Sequence, residues 1–180
     1  MKQTITLAVM FVLASSSAAS AGGQEDSLGV GAEFGLNGIT GGVSMNYDLG
    51  KFHVGGFFGF IDGFDGDDVD EDDTDYTIGA RFFYHLHSTA MSDFGVGGTF
   101  GLFSIDQADP NDRLQLMFLE PSFQIRLFLA ANVALSFTAG ITLGFVDADG
   151  IAIGAPSVGT ADGTFGGVVS GSAGVHYYFF

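Results

Sequence analysis

Apolar residues occupy every second position along eight segments of this chain, and the positions between them are small or polar. Successive side chains of a β-strand point to opposite faces, so this period of two predicts strands. Beyond residue 21 no long segment keeps the period of 3.6 that indicates a helix. The predicted strands cover about residues 28–36, 43–49, 52–60, 76–86, 94–102, 114–127, 133–145 and 165–179.

The sixth predicted strand is irregular, because its apolar positions change parity across Glu120-Pro121. These positions are Leu114, Leu116, Phe118, Phe123, Ile125 and Leu127. A proline cannot donate a hydrogen bond to a neighbouring strand, and an extra residue in one strand turns its side chains to the other face. We therefore predict a β-bulge at Glu120-Pro121.

The second face of the strands decides between two architectures. A soluble barrel or sandwich turns its apolar face inward and covers the outside with charged residues such as Lys and Glu. Here the second face has too few charges for a surface in water, but its side chains suit a narrow lumen. In the seventh strand they are Ala134, Ser136, Thr138, Gly140, Thr142 and Gly144. We predict an all-β fold, an eight-stranded antiparallel transmembrane β-barrel.

The lengths of the connections alternate as they do in outer-membrane barrels, where the short turns are periplasmic. The connections after strands two, four and six are short, at about residues 50–51, 87–92 and 129–132. Those after strands three, five and seven are long, at about residues 62–73, 104–113 and 147–163; the first, 37–41, is the exception. An even number of strands then places both termini in the periplasm.

Aromatic residues near the strand ends predict two interfacial girdles, with phenylalanine and tyrosine in place of the absent tryptophan. The outer girdle would contain Phe34, Phe60, Tyr76, Phe103, Phe145 and Phe165. The periplasmic girdle would contain Tyr47, Tyr84, Phe128, Tyr177 and Phe179.

The first residues have the pattern of a secretory signal peptide. Lys2 supplies a positive start, Ile5 to Leu13 an apolar core, and Ala19-Ser20-Ala21 a small-residue cleavage site. The apolar core is too short for a spanning helix, which disfavours the alternative of an N-terminal anchor. We predict a signal peptide at residues 1–21, cleaved after Ala21, and a β-barrel domain at residues 22–180.

The amino-acid composition restricts the classes of partner that this protein could bind. The formal net charge is −16, or −17 once Lys2 has left with the signal peptide, and four cationic side chains then remain. Such a surface is a poor partner for nucleic acid, whereas divalent cations and basic partners are compatible with it. Cysteine is absent, so disulfides and thiolate metal sites play no part.

The C-terminal run Val175-His176-Tyr177-Tyr178-Phe179-Phe180 ends an alternating strand in aromatic residues. With the cleavage site and the eight alternating segments, it resembles the small eight-stranded outer-membrane barrels of Gram-negative bacteria, the outer-membrane protein A-like or opacity-type family. In that family the last strand resembles a signal that the barrel-assembly machinery recognises. Val175, Tyr177 and Phe179 match its alternate positions, and Phe180 is an extra residue.

This resemblance implies a cellular location and partners in membrane assembly. It implies the outer membrane as location, with its lipid and lipopolysaccharide as surroundings. It also implies periplasmic chaperones and the barrel-assembly machinery as partners during biogenesis. It does not imply an activity, because this fold hosts enzymes, adhesins and structural proteins.

One connection is strongly acidic. Nine of the 21 carboxylates lie between Asp62 and Asp75. Closely packed carboxylates repel one another or recruit cations, so this connection is either a solvated loop or a weak Ca²⁺ site, with Asp147 and Asp149 as possible further ligands. The spacing does not match an EF-hand. The candidate ligands are Asp65, Asp67, Asp68, Asp70 and Asp72.

Charged residues also fall on the lumen face by parity. They are Glu33, Arg81 and Arg126, and the histidines His53, His85 and His176 accompany them. An isolated buried ion is costly, so we predict a structural network of ion pairs and hydrogen bonds that plugs the lumen. A narrow polar path for water or ions is the alternative.

Catalysis has weak support. Some small barrels modify lipid A with a serine and a histidine near the rim, and His85 and His176 are the candidates for that chemistry here. No G-x-S-x-G motif occurs, and His85-Leu86-His87 would point its two imidazoles to opposite faces. We expect no enzyme and no cofactor beyond weakly bound Ca²⁺. The predicted role is structural or surface interaction, with a narrow channel as first alternative and a lipid A-modifying enzyme as second.

Overall fold

The computed structural model describes residues 23–35, 41–62, 74–105, 114–146, 150–153 and 169–180. The predicted signal peptide and the acidic candidates Asp65 to Asp72 lie outside these residues. Among the described residues no helix is long and apolar enough to cross a membrane. The strands are β1 (Leu28–Gly35), β2 (Gly41–Asp48), β3 (Phe52–Asp62), β4 (Thr74–Ser88), β5 (Ser92–Ile105), β6 (Leu114–Ala130), β7 (Val133–Ile141), β8 (Leu143–Val146), β9 (Gly150–Ile153) and β10 (Val169–Phe179).

The strands form a closed antiparallel ring. Each strand from β1 to β6 pairs with the next in the chain, including β5 with β6, and β10 pairs with both β7 and β1. The short strand β8 continues β7 along β6, and β9 pairs with β8 as a hairpin at that end. Eight strands therefore close the barrel, which confirms the predicted all-β fold and its antiparallel order.

The barrel exterior is apolar on every strand. Val43, Phe60 and Phe34 are each more than 60% exposed. One outward apolar side chain from each barrel strand illustrates the belt: Phe34, Val43, Phe60, Ile78, Phe100, Phe123, Phe137 and Phe179. The intervening positions, such as Ser44, Thr99 and Ser136, are buried inside. The alternation predicted from the sequence is confirmed, and the barrel presents to its surroundings a surface suited to lipid.

The predicted bulge at Glu120-Pro121 is wrong. β5 and β6 pair in one unbroken register from Ser92↔Leu127 to Ile105↔Leu114. Leu116 and Phe118 point into the lumen and are 2% and 5% exposed, so their apolar character reflects packing inside the barrel. Register shifts occur instead between His85 and His87 and between Phe128 and Ala130.

The girdle prediction fails for two aromatic residues. Phe103 faces the lumen, where its ring centroid lies 4.9 Å from that of Phe118. Phe128 is 3% exposed and packs beside Tyr178 inside the barrel. Both occupy inward positions of their strands, so an aromatic residue near a strand end does not by itself indicate contact with the membrane interface. The side chains of Phe145 and Phe165 lie outside the described residues.

The two ends of the barrel differ in their connections. At the end that holds the beginning of β1 and the end of β10, the strands join through residues 49–51, 89–91 and 131–132. Gly50 has a φ of 77°, a backbone region that favours glycine, and it allows the first of these turns. The strands join through longer connections at the opposite end. We call these the short-turn end and the long-connection end.

A charge on the outside tests whether lipid surrounds the barrel. Phe100 is an outward-facing residue near the middle of β5. We expect Phe100→Arg to lower the free energy of unfolding in a bilayer by about 2–4 kcal/mol. An arginine in hydrocarbon is costly, whereas in water this exposed position would tolerate it. Urea unfolding of the barrel folded in phospholipid vesicles measures the change.

The matched control is Met91→Arg, because Met91 is 66% exposed but lies in a short turn beyond the strands. We expect this variant to change the free energy of unfolding by less than about 0.5 kcal/mol. Equal effects at the two positions would contradict the lipid-facing assignment.

Candidate functional site in the barrel lumen

The lumen contains charged side chains that are almost fully buried. Arg126, Asp48 and His53 are at most 1% exposed, and Arg81 and Glu33 are at most 8% exposed. Their contacts divide them into two groups, which we name the Arg126 cluster and the Arg81 cluster. The Arg126 cluster lies toward the short-turn end, and the Arg81 cluster lies nearer the middle of the strands.

Arg126, on β6, is the centre of the first cluster. Its Nη1 and Nη2 donate to Asp48 Oδ2 and Oδ1 at 2.9 and 2.7 Å, and Nη2 also donates to Asp93 Oδ2 at 2.7 Å. Nη1 donates further to the hydroxyl of Tyr178 at 3.0 Å. In the closed ring β2, which carries Asp48, lies diametrically opposite β6. The bidentate pair therefore bridges the full width of the barrel.

Two histidines extend this cluster and their contacts define their tautomers. His85 Nδ1 lies 3.0 Å from the carbonyl oxygen of Gly50, which can only accept, so Nδ1 carries the proton. His85 Nε2 lies 3.2 Å from Arg126 Nη2, which can only donate, and 2.8 Å from His53 Nδ1. His85 Nε2 is therefore an acceptor and His53 Nδ1 a donor. The arginine thus joins residues of β2, β4, β5 and β10 to its own strand.

The Arg81 cluster pairs charges from β4 and β1. Arg81 Nη1 lies 2.6 Å from both carboxylate oxygens of Glu33. His176 Nε2, on β10, lies 3.3 Å from Glu33 Oε1 and 2.7 Å from Ser44 Oγ. The guanidinium carbon of Arg81 also lies 4.9 Å from the ring centroid of Phe57. Arg81 therefore pairs with the buried carboxylate, and His176 links that carboxylate to the Ser44 hydroxyl.

Glycines provide the space for these long side chains. A Cβ atom placed on Gly174 would lie 2.6 Å from Glu33 Cγ and 2.8 Å from Ser136 Oγ. A Cβ atom on Gly55 would lie 3.1 Å from Arg81 Cγ. In a lumen of only eight strands, an inward side chain at either position would displace a member of the Arg81 cluster.

The five predicted lumen residues are all found inside the barrel, but in two groups. Glu33, Arg81 and His176 meet in one cluster, and Arg126 and His85 meet in the other. Sequence reasoning missed Asp48 and Asp93, the two carboxylates that bind Arg126. Both border turns, where aspartate is common, and only their inward parity would have singled them out.

Asp48, His53 and His85 have ligand atoms within 4.8 Å of one another, a spacing that a metal ion would require. However, Asp48 binds the Arg126 guanidinium through both oxygens, and His85 Nε2 accepts from the same group. A second cation would have to displace the arginine. The arrangement is therefore that of an ion-pair network, and it does not favour metal binding.

The geometry does not support serine hydrolase chemistry either. In a catalytic triad, one imidazole nitrogen faces the nucleophile and the other faces the carboxylate. Here Ser44 Oγ and Glu33 Oε1 both contact Nε2 of His176, while its Nδ1 has no partner among the described residues. The side chains of Ser44, His176 and Glu33 are also buried in the lumen, away from the lipid-facing exterior.

The predicted assembly residues lie on the outer face of the last strand. Val175, Tyr177 and Phe179 are 44%, 47% and 56% exposed, and Phe180 follows the end of β10. The intervening Tyr178 points inward to Arg126. The alternate positions of β10 that include Phe179 therefore face the outside of the barrel.

The described fold is similar to solved outer-membrane barrels. The N-terminal β-barrel domain of Pseudomonas aeruginosa OprF shares 14% sequence identity with this chain; the match covers 88% of this chain and 99% of that one, with a TM-score of 0.52. Neisserial surface protein A shares 16% identity over 85% of this chain and 94% of that one, with a TM-score of 0.45. No protein-family model and no curated protein matches the chain. The likeness to the OprF domain establishes the fold.

Removal of the central cation tests the Arg126 cluster. We expect Arg126→Gln to lower the free energy of unfolding by about 3–5 kcal/mol, because Asp48 and Asp93 would remain buried without a partner. Urea unfolding in phospholipid vesicles measures the loss. Lys51→Gln, which removes an exposed cation from a short turn, should change stability by less than about 0.5 kcal/mol.

A compensating variant separates charge from packing. Combining Arg126→Met with Asp48→Asn and Asp93→Asn removes all three charges, and we expect it to recover most of the stability lost in Arg126→Gln. If the triple variant were as unstable as Arg126→Gln, lost packing and not unpaired charge would explain the effect.

Proposed function

We propose that this chain, an eight-stranded barrel with the fold of outer-membrane proteins, is an integral outer-membrane scaffold. We further propose that its lumen contains no continuous pore. Its role is to hold the connections of the long-connection end in place at the cell surface. The observation that carries this proposal is the Arg126 cluster, in which buried charges from opposite sides of the barrel bind each other across the lumen.

The exterior supports the membrane location. Apolar side chains cover the outside of all eight barrel strands, while polar side chains are buried within. A barrel in water has the opposite arrangement, because its apolar side chains gain by leaving water. Lipid and lipopolysaccharide are the surroundings that such an exterior fits.

The lumen supports a structural role over transport. Arg126 alone joins five strands through contacts of 2.7 to 3.2 Å, and its guanidinium is 1% exposed. An ion crossing the barrel would have to separate Arg126 from Asp48 and Asp93 in a region of low dielectric constant, which is costly. Closure by such a network also stiffens the barrel, as a scaffold requires.

The connections that this scaffold would present carry much of the negative charge. Residues 63–73 contain seven carboxylates, including the five candidate ligands Asp65, Asp67, Asp68, Asp70 and Asp72. We propose that they attract basic partners at the surface and bind Ca²⁺ weakly, because clustered carboxylates gain by recruiting cations. Cleavage after Ala21 and assembly through Val175, Tyr177, Phe179 and Phe180 belong to the same proposal, with both termini in the periplasm.

Conductance tests the closed lumen. In a planar lipid bilayer we expect the wild-type barrel to show no steady ion current, because the Arg126 cluster blocks the lumen. Combining Asp48→Ala, Asp93→Ala and Arg126→Ala removes the block and should produce a small steady ion conductance, as a narrow eight-stranded lumen would allow. A steady wild-type current that Arg81→Ala alters and Lys51→Ala does not would favour the narrow channel.

Calcium titration tests the acidic connection. We expect isothermal calorimetry to detect millimolar Ca²⁺ binding that becomes weaker when Asp67, Asp68 and Asp70 are replaced by Asn, since each replacement removes a charged oxygen ligand. The matched control replaces Asp106, Asp109 and Asp112, three carboxylates of another long connection, with Asn. Equal binding by wild type and both variants would show that the acidic connection is only solvated.

A further inference from the structure

The lumen is not filled uniformly along its length. Beyond the Arg81 cluster, toward the long-connection end, a cavity of about 100 Å³ remains. At about 30 Å³ per water in the liquid, this volume corresponds to roughly three waters or one ligand of a few non-hydrogen atoms. Its walls combine carboxylates, hydroxyls and aromatic rings, and most of the wall is apolar.

The charges around this cavity do not balance. Glu33 and Arg81 both line it, but they neutralise each other at 2.6 Å. Glu120, on β6, also lines it, and its only described side-chain partner is the hydroxyl of Thr142, which donates to Oε2 at 3.2 Å. No described Lys, Arg or His lies within ion-pair distance of Glu120. The cavity therefore carries one carboxylate in excess.

Two buried hydroxyls on the cavity wall also have no partner. Thr77 Oγ1 and Ser170 Oγ belong to side chains that are 4% and 8% exposed, and neither makes a hydrogen bond within the described residues. Buried hydroxyls without partners are uncommon, because each loses its hydrogen bonds to water on folding. They come from β4 and β10, on opposite walls of the barrel, so each hydroxyl offers a separate hydrogen-bonding position to a ligand in the cavity.

The apolar side of the cavity narrows the class of ligand. Phe57, Phe103 and Phe118 line it, and the last two rings pack at a centroid distance of 4.9 Å. Aromatic faces attract cations, and an ammonium group supplies several N–H donors for carboxylate and hydroxyl oxygens. A metal ion of hard character would prefer several carboxylates and no aromatic wall.

We propose that this cavity is a binding site for a small organic cation, a primary ammonium compound such as an alkylamine or amino alcohol. The Glu120 carboxylate pairs with the ammonium group, one of the two wall hydroxyls, Thr77 or Ser170, accepts a further N–H donor, and the Phe103–Phe118 pair contacts its carbon atoms. The proposal goes beyond the scaffold function and does not depend on it, since Glu120 and the hydroxyls line this cavity whether or not the lumen conducts ions.

The test titrates ethylammonium chloride into the full-length barrel in uncharged detergent micelles and follows backbone amide shifts by NMR. We expect saturable shifts at Thr77, Thr99, Glu120 and Thr142, with a millimolar dissociation constant. Glu120→Gln should weaken binding about ten-fold or more, because it removes a charge-assisted hydrogen bond. Glu25→Gln, which removes an exposed carboxylate at the short-turn end, should leave binding unchanged.

Two further variants keep the proposal testable if Glu120→Gln does not fold. Thr77→Val and Ser170→Ala retain the carboxylate, and the variant that removes the hydroxyl in contact with the ammonium group should weaken binding about three- to ten-fold. Unchanged binding by both variants would contradict this contact. Absence of saturable shifts would mean that the cavity holds only water, and would overturn the proposal. Equal, Glu120-dependent shifts with sodium or calcium chloride would identify a metal-ion site and overturn it as well.

Discussion

Closure of the backbone hydrogen-bond ladder is the constraint on which the rest of this structure depends. In lipid no water is present to satisfy an exposed N–H or C=O group, so a spanning sheet has no free edge. The pairings of β1 with β10 and of β5 with β6 remove both edges. Closure with eight strands then separates two environments: lipid outside, where only apolar side chains are stable, and a narrow lumen inside, which the side chains themselves must fill.

The narrow lumen explains why its contents are both small and charged. Glycine leaves room for some of the long side chains, as Gly174 does beside Glu33. Once inside, a charge is stable only with a partner, and the partners come from strands far apart in the chain: Arg81 with Glu33, and Arg126 with Asp48. Ion pairs that compensate their own desolvation thus also connect opposite walls of the barrel.

The lumen has unequal halves. Toward the short-turn end, the Arg126 cluster is compact and both of its carboxylates bind the guanidinium, which suits a rigid base. Toward the long-connection end, Glu120 lacks a cationic partner among the described residues, and a cavity remains beside it. Side chains close the lumen at one end of this barrel, and polar groups line a cavity at the other end. Such a barrel is able to combine a scaffold with a small binding site.

The sequence by itself determined which residues face lipid and which face the lumen, because a period of two is a local property of an extended chain. It thereby placed Glu33, Arg81 and Arg126 inside. Only the tertiary structure decided their partners and the roles of Asp48 and Asp93, since cross-lumen distances depend on the register and closure of the whole ring. It also decided that Leu116 and Phe118 face inward: lipid and a packed lumen both accept apolar side chains, so hydrophobicity alone does not distinguish them.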